Sequence, residues 1–166
     1  FAPASVWYTK QLPEEKWIQL GNVIDSSKTI YLLGAASDFE LCERIRIGIT
    51  HGNVTNLSGK LNLLESAALM STSQRNFVND SGPLHISSAV NAPTTAFFCS
   101  TTPKFGFGPL ADESQIIECD DELACKPCGI HGHKVCPEKH FKCEIIFRLS
   151  GEVFLIKINS VIFITT

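Results

Sequence analysis

Apolar, β-branched runs alternate along the chain with segments in which apolar residues recur every three or four positions. Thr29-Ile30-Tyr31-Leu32-Leu33-Gly34 has the near-continuous apolar character of a strand buried on both faces, as do Asn76-Phe77-Val78 and Thr94-Thr95-Ala96-Phe97-Phe98-Cys99. Val54-Thr55-Asn56-Leu57 is a short example and Gln115-Ile116-Ile117-Glu118-Cys119 a weaker one. Between them the spacing predicts helices over residues 13–23, 38–49, 61–70 and 82–90. Pro13-Glu14-Glu15 suits a helix start, with proline in the first turn and acids at the positive end of the dipole. Asp38, ahead of the apolar stripe Phe39, Leu41, Cys42 and Ile45, reads as an N-cap.

Strand and helix alternating at roughly 20 to 25 residues per unit imply an α/β fold, a Rossmann-like parallel sheet with helices on both faces. Ligands of such sheets bind beyond the carboxyl ends of the strands, where loops lead into helix starts. From residue 106 onward glycine, proline and cysteine become denser and periodicity fades. The β-branched tail 153–166 leans to strand.

The chain has 166 residues, 44% hydrophobic and 19% charged, enough apolar material for one sizeable core and too much for a disordered chain. Fourteen basic against 17 acidic residues leave a net charge of −3 without a long basic run, which disfavours nucleic acid as a partner. No apolar stretch approaches the ~20 residues of a spanning helix, so the chain reads as a soluble globular domain. It opens Phe1-Ala2-Pro3 with no charged-then-apolar leader, which reads as a processed chain or part of a longer one. Five of the seven cysteines crowd into 119–143, while Cys42 and Cys99 sit in apolar stretches as small buried hydrophobes. This uneven spread suggests a reducing cytoplasm rather than a disulfide-framed secreted domain.

Two strand-to-helix loops carry candidate chemistry. In Asn79-Asp80-Ser81-Gly82-Pro83-Leu84-His85, free N–H groups at a helix start would receive a phosphate, Gly82 would let it approach, and His85 could donate to it. The plainer alternative is that Asp80 or Ser81 caps the helix while His85 is an interior histidine. In the loop 2–13, the Ser5 hydroxyl and the Lys10 ammonium could hold a phosphate from the other side. A cation just before a helix start is unfavourable unless an anion stands nearby; the alternative is a solvated loop lysine. No Walker sequence and no G-x-G-x-x-G is present.

Cys125, Cys128, Cys136 and Cys143, spaced x2, x7 and x6, offer four soft ligands for a structural zinc, with His131, His133 and His140 nearby. One or two disulfides, or free buried thiols, are the competing readings.

Pro3-Ala4-Ser5, Thr9-Lys10, Pro13, Leu33-Gly34-Ala35, Leu57-Ser58-Gly59-Lys60, Asn79 to His85, Asn91-Ala92-Pro93, Thr101-Thr102-Pro103 and Gly106-Phe107-Gly108-Pro109 are collinear with one family. Over about residues 2–143 the chain resembles the C-terminal, donor-binding half of the ADP-heptose:lipopolysaccharide heptosyltransferases. The resemblance implies a GT-B enzyme that moves heptose from ADP-heptose to the lipopolysaccharide inner core, inverting the anomeric centre without a metal. It implies one nucleotide-sugar-binding domain over 1–166, with the N-terminal, acceptor-binding domain and its general base absent, so that this chain alone would bind but not turn over. Ser5, Lys10, Asp80, Ser81, Gly82 and His85 would hold the donor, with Lys10 stabilising the leaving ADP. Leu61 would lie near the adenine and Asp38 near the ribose. The enzyme would be cytoplasmic, with peripheral attachment to the inner membrane through the other half. The alternative is a stand-alone, zinc-stabilised nucleotide or nucleotide-sugar binding module without catalysis.

Overall fold

A computed structural model describes residues 1–119 and 122–144. In chain order it contains α1 (Glu14–Val23), β1 (Ile30–Leu32), α2 (Phe39–Gly48), β2 (Val54–Asn56), α3 (Leu63–Thr72), β3 (Asn76–Asn79), α4 (Gly82–Ala89), β4 (Thr94–Phe98) and β5 (Ser114–Glu118). Single 3-10 turns cover Tyr8–Lys10, Ala36–Asp38 and Pro103–Phe105. The expected alternation is therefore present, and the tail 153–166 lies outside the described residues.

β1 pairs in parallel with β2, Ile30 opposite Val54, and β3, β4 and β5 form a second parallel set. Phe1 and Ala2 join the two. The Phe1 amino group donates to the Tyr31 carbonyl at 2.7 Å, and the Leu33 N–H donates to the Phe1 carbonyl at 2.8 Å. On the other side the Ala2 N–H donates to the Phe77 carbonyl at 2.9 Å, and Ala2 bridges Val78 in parallel. The sheet order is thus β2, β1, Phe1-Ala2, β3, β4, β5. Successive strands step one way from Phe1-Ala2 to β2, and the chain then returns to build the other way from β3. The strand order reverses between Phe1-Ala2 and β3.

Period-two alternation along the strands sorts the core onto two faces. Ile30, Leu32, Phe77 and Phe97 pack with Trp17 and Leu20 of α1 and with Cys42 and Ile45 of α2. Leu33, Val78, Ala96 and Phe98 face the other way, against Met70 of α3 and Leu84 of α4. Helices therefore cover both faces, as the pattern predicts. Gly21 and Gly48 let α1 and α2 close on each other: a Cβ at Gly48 would meet Ile18 Cγ1 at 2.8 Å, and one at Gly21 would collide with the Ile49 side chain.

Two boundaries differ for local reasons. α3 starts two residues later than expected because Asn62 and Glu65 form a capping box: the Asn62 side chain accepts from the Glu65 N–H at 3.0 Å, and Glu65 accepts from the Asn62 N–H at 2.8 Å. Asp38 makes no side-chain cap on α2. Its carboxylate reaches back to the Ala35 N–H at 2.7 Å and closes the 3-10 turn that precedes the helix. Asp38 thus occupies the expected N-cap position of α2, while its side chain serves the preceding turn instead. No helix among the described residues is long and apolar enough to cross a membrane.

Cys42 and Cys99 are fully buried, as their apolar surroundings imply. Burial is the main force that pushes the Cys42 thiol up to about 11. Unfolded chains release this proton near its ordinary value of 9.0 while the folded chain keeps it, so this thiol's contribution to stability is present below pH 9 and declines as pH rises toward 11. We expect Cys42 to resist iodoacetamide at pH 8.5 in the native protein, at least about ten-fold more slowly alkylated than the half-buried Cys125, and to react freely in denaturant. Peptide mass mapping of the alkylated protein checks this; equal native rates would contradict it.

Candidate anion-binding site at the sheet switch point

In a parallel α/β sheet the loops on either side of a reversal in strand order splay apart and leave a crevice. Here those loops are residues 3–13, which follow Phe1-Ala2, and Asp80-Ser81, which follow β3. The Lys10 ammonium and the Asp80 carboxylate meet between them at 2.7 Å, their side chains only 13% and 5% exposed. This answers the question raised by a lysine placed before a helix start: its counter-anion is Asp80, 70 positions further on. The solvated-lysine alternative is thereby set aside.

Further side chains fix the pair. Thr101 donates its hydroxyl to Asp80 Oδ2 at 2.6 Å, the same oxygen that receives Lys10. Asn79 is fully buried in β3, where asparagine is unusual and must be satisfied. Its amide donates to the Pro3 carbonyl at 2.7 Å and its oxygen accepts from the Leu12 N–H at 3.0 Å, so one side chain staples both ends of the Lys10 loop. Asn79 and Thr101 both lie in the collinear motifs, Asn79 to His85 and Thr101-Thr102-Pro103, but neither side chain has a role there. A polar residue inside an otherwise apolar strand was a further sign for Asn79.

α4 opens directly beside the pair. Neither Asp80 nor Ser81 caps it: Ser81 lacks a side-chain cap, its hydroxyl donating instead to the Asn79 carbonyl at 3.4 Å, and Asp80 is spent on Lys10 and Thr101. The capping alternative is therefore corrected. A Cβ at Gly82 would find nothing within 4 Å, so open space fronts the helix start. His85 is exposed, not interior, with its ring edge-on to Phe107 at 6.4 Å.

Ser5 lies in the Lys10 loop, where its hydroxyl accepts from the Trp7 N–H at 3.4 Å. Asp38 and Leu61 stand in the loops after β1 and β2. Asp38 is engaged with Ala35, and Leu61 packs against the α3–α4 side of the core. The structure thus brings Lys10 and Asp80 together, with Ser81 and Gly82 following at the start of α4, and holds Asp38 in its turn and Leu61 against the core.

The cysteine-rich segment stays outside the sheet. Cys125, Cys128, Cys136 and Cys143 form no disulfide, and among the described residues no three histidine, cysteine, aspartate or glutamate side chains stand together as a metal-binding group. The Cys128 thiol donates to the Cys125 carbonyl at 2.9 Å, and Cys136 Sγ accepts from the Phe141 N–H at 3.4 Å. Burial first, then the nearby Cys128 and Cys136 thiols, push Cys143 up to about 12. The four thiols are chemically suited to zinc, and Cys128, Cys136 and Cys143 lie close enough to shift one another's ionisation.

A parallel sheet covered on both faces, with a charged pair and a helix start without a side-chain cap at its switch point, is a Rossmann-like α/β domain with a candidate anion site. The sequence profile of glycosyltransferase family 9 (heptosyltransferase) matches residues 1–141, and the chain belongs to that family. Lipooligosaccharide heptosyltransferase 2 of Haemophilus influenzae is 33% identical over 121 residues, 70% of this chain and 33% of that protein. The Campylobacter jejuni protein of the same name is 34% identical over 122 residues, 70% of this chain and 36% of its own. The chain therefore spans about a third of the curated relatives it matches. Among solved structures, the Escherichia coli ADP-heptose LPS heptosyltransferase II superposes with a TM-score of 0.68 at 23% identity, over 86% of this chain and 43% of that one. Escherichia coli heptosyltransferase WaaC with ADP superposes at 0.62 and 25% identity, over 70% and 36%. These neighbours are GT-B glycosyltransferases, which agrees with the α/β class read from the sequence.

Proposed function

We propose that this chain is the donor-binding half of a heptosyltransferase that moves heptose from ADP-heptose to the lipopolysaccharide inner core. The observation that carries the reading is the Lys10–Asp80 pair at the switch point, beside the open start of α4, in a member of family 9. WaaC, which shares the fold, is known with ADP and with ADP-2-deoxy-2-fluoro heptose.

The chemistry follows from the charges. A diphosphate entering the crevice meets the Lys10 ammonium on one side and the α4 N–H groups, with Ser81, Gly82 and His85, on the other. Ser5 joins from the Lys10 loop, and Asp38 and Leu61 edge the nucleoside end. As the bond from the sugar's anomeric carbon to the β-phosphate breaks, negative charge gathers on the departing ADP. An ammonium already fixed within reach stabilises that charge without reorganisation and takes the part a metal cation would play. Thr101 keeps Asp80 hydrogen-bonded while Lys10 turns to the phosphate. The base that takes the acceptor's proton, and the acceptor surface, belong in this reading to the part of the relatives that the chain does not span. The enzyme works in the cytoplasm, at the inner face of the membrane that carries its lipid-linked acceptor.

Calorimetric titration tests the reading: ADP and ADP-heptose are expected to bind in the micromolar range, and inorganic phosphate at least about a hundred-fold more weakly, because it reaches only one part of the crevice. A folded sample that ignores millimolar ADP and ADP-heptose sinks it.

A structural zinc on Cys125, Cys128, Cys136 and Cys143 completes the proposal; binding would draw these thiols together and ionise them, and no catalytic step passes through it. The expected result is about one zinc per chain in protein purified without chelator, lost in Cys128→Ser. Protein that carries neither zinc nor iron removes the metal from the proposal.

A further inference from the structure

The 3-10 turn that carries Lys10 is gripped residue by residue from the cysteine-rich segment. Tyr8 stacks on Phe141 with ring centroids 5.3 Å apart. Thr9 is buried, and its N–H donates to the His133 carbonyl at 3.1 Å. The Thr9 hydroxyl donates to that carbonyl at 3.2 Å and accepts from the His133 N–H at 2.8 Å and the Ser100 hydroxyl at 3.0 Å. One donor and two acceptor positions are all a hydroxyl has, so Thr9 is saturated. Ser100 closes the ring: its N–H donates to the Thr9 carbonyl at 3.2 Å, and its carbonyl accepts from the Cys128 N–H at 2.8 Å.

Gly132 touches Lys10 itself. With φ at +73°, in the left-handed region, a Cβ there would lie 2.9 Å from Lys10 Cγ, 3.0 Å from Thr9 Oγ1 and 3.2 Å from Ser100 Oγ. The lysine stem is therefore confined by the loop while its ammonium is confined by Asp80. The neighbour of Ser100, Thr101, holds Asp80, so both halves of the ion pair hang on one hydrogen-bonded unit.

We propose that Thr9 and Gly132 are positioning residues for Lys10, and that segment 128–133 is a latch that sets where the ammonium stands. The latch places the lysine through contacts to its turn and its stem and needs no contact with the ligand. That the positioned ammonium serves a nucleotide diphosphate rests on the function proposed above.

The test uses the 166-residue chain and two readouts. Competitive acetylation by acetic anhydride, read by peptide mass spectrometry, gives the reactivity of Lys10 relative to the exposed Lys28; ADP titration gives affinity. Thr9→Val keeps the shape of the side chain and removes its hydrogen bonds. It is expected to raise Lys10 acetylation about five-fold or more and to weaken ADP binding about ten-fold. Thr9→Ser restores the hydroxyl and should bring both back to within about two-fold of the parent. A folded Thr9→Val protein with unchanged Lys10 reactivity overturns the proposal. Should Thr9→Val fail to fold, Gly132→Ala decides by the same acetylation ratio. If the parent chain binds no ADP, the donor reading falls while the acetylation ratios still decide the latch.

Discussion

Replacing Lys10 with alanine is expected to cost the chain at least about ten-fold in affinity for ADP, since charge-assisted hydrogen bonds to phosphate contribute roughly 1.5–3 kcal/mol each. The loss should be visible in titration while the circular dichroism spectrum is retained. The same substitution strands Asp80, whose side chain is only 5% exposed, with Thr101 as its remaining hydrogen-bond donor. Removing one member of a buried ion pair leaves the other charge uncompensated, a cost of about 3–5 kcal/mol in the general case. Asp80→Ala should therefore also weaken ADP binding, by a smaller factor, because the free ammonium loses its position but keeps its charge. In the double variant no charge is stranded, so its stability should exceed the sum expected from the two single losses. Additive destabilisation would show that the pair is not coupled, and unchanged ADP affinity in Lys10→Ala would remove the lysine from the donor site.

The largest expected effect on stability lies at Trp17. Its ring is fully buried between α1 and the sheet, 5.3 Å from the rings of both Phe1 and Phe97, and its Nε1–H donates to the Leu12 carbonyl at 3.1 Å. Trp17→Ala opens a cavity and orphans that carbonyl; truncations of this size cost about 3–5 kcal/mol. For a domain this large the unfolding midpoint should fall by about 10 °C or more, measured by circular dichroism. A fall of only a degree or two would mean that the core on this face closes around the gap.

The parts of the fold that were legible in the sequence are those set by local chemistry. Apolar runs such as Thr94 to Phe98 and the acidic start of α1 appear where their patterns place them, because a strand buried on both faces and a helix dipole leave direct marks on residue choice. Asp38 stands at the N-cap position its pattern predicts, but a carboxylate before an apolar stripe serves equally well at the third position of a 3-10 turn, and only the backbone path decides which N–H it meets. In the site, the helix start at Gly82 and the lysine before α1 were legible one at a time. Their meeting was not, since it depends on Phe1-Ala2 and β3 lying side by side. The grip of His133 on Thr9, across 124 residues, left no trace in spacing at all.

Phe1 and Ala2 are the seam between the two parallel sets, hydrogen-bonded to Tyr31 and Leu33 on one side and to Phe77 on the other. The crevice lies at the end of that seam, with Lys10 in the loop that leaves it and Asp80 in the loop that leaves β3. A ligand that touches both loops adds its binding energy across the join. Occupancy should therefore act on cooperativity as well as on the midpoint: the amides of Ala2 and Leu33, which cross the seam, should slow in hydrogen exchange toward the global unfolding rate as the crevice fills. Filling the crevice and holding the two sides of the sheet together would then be one mechanical task.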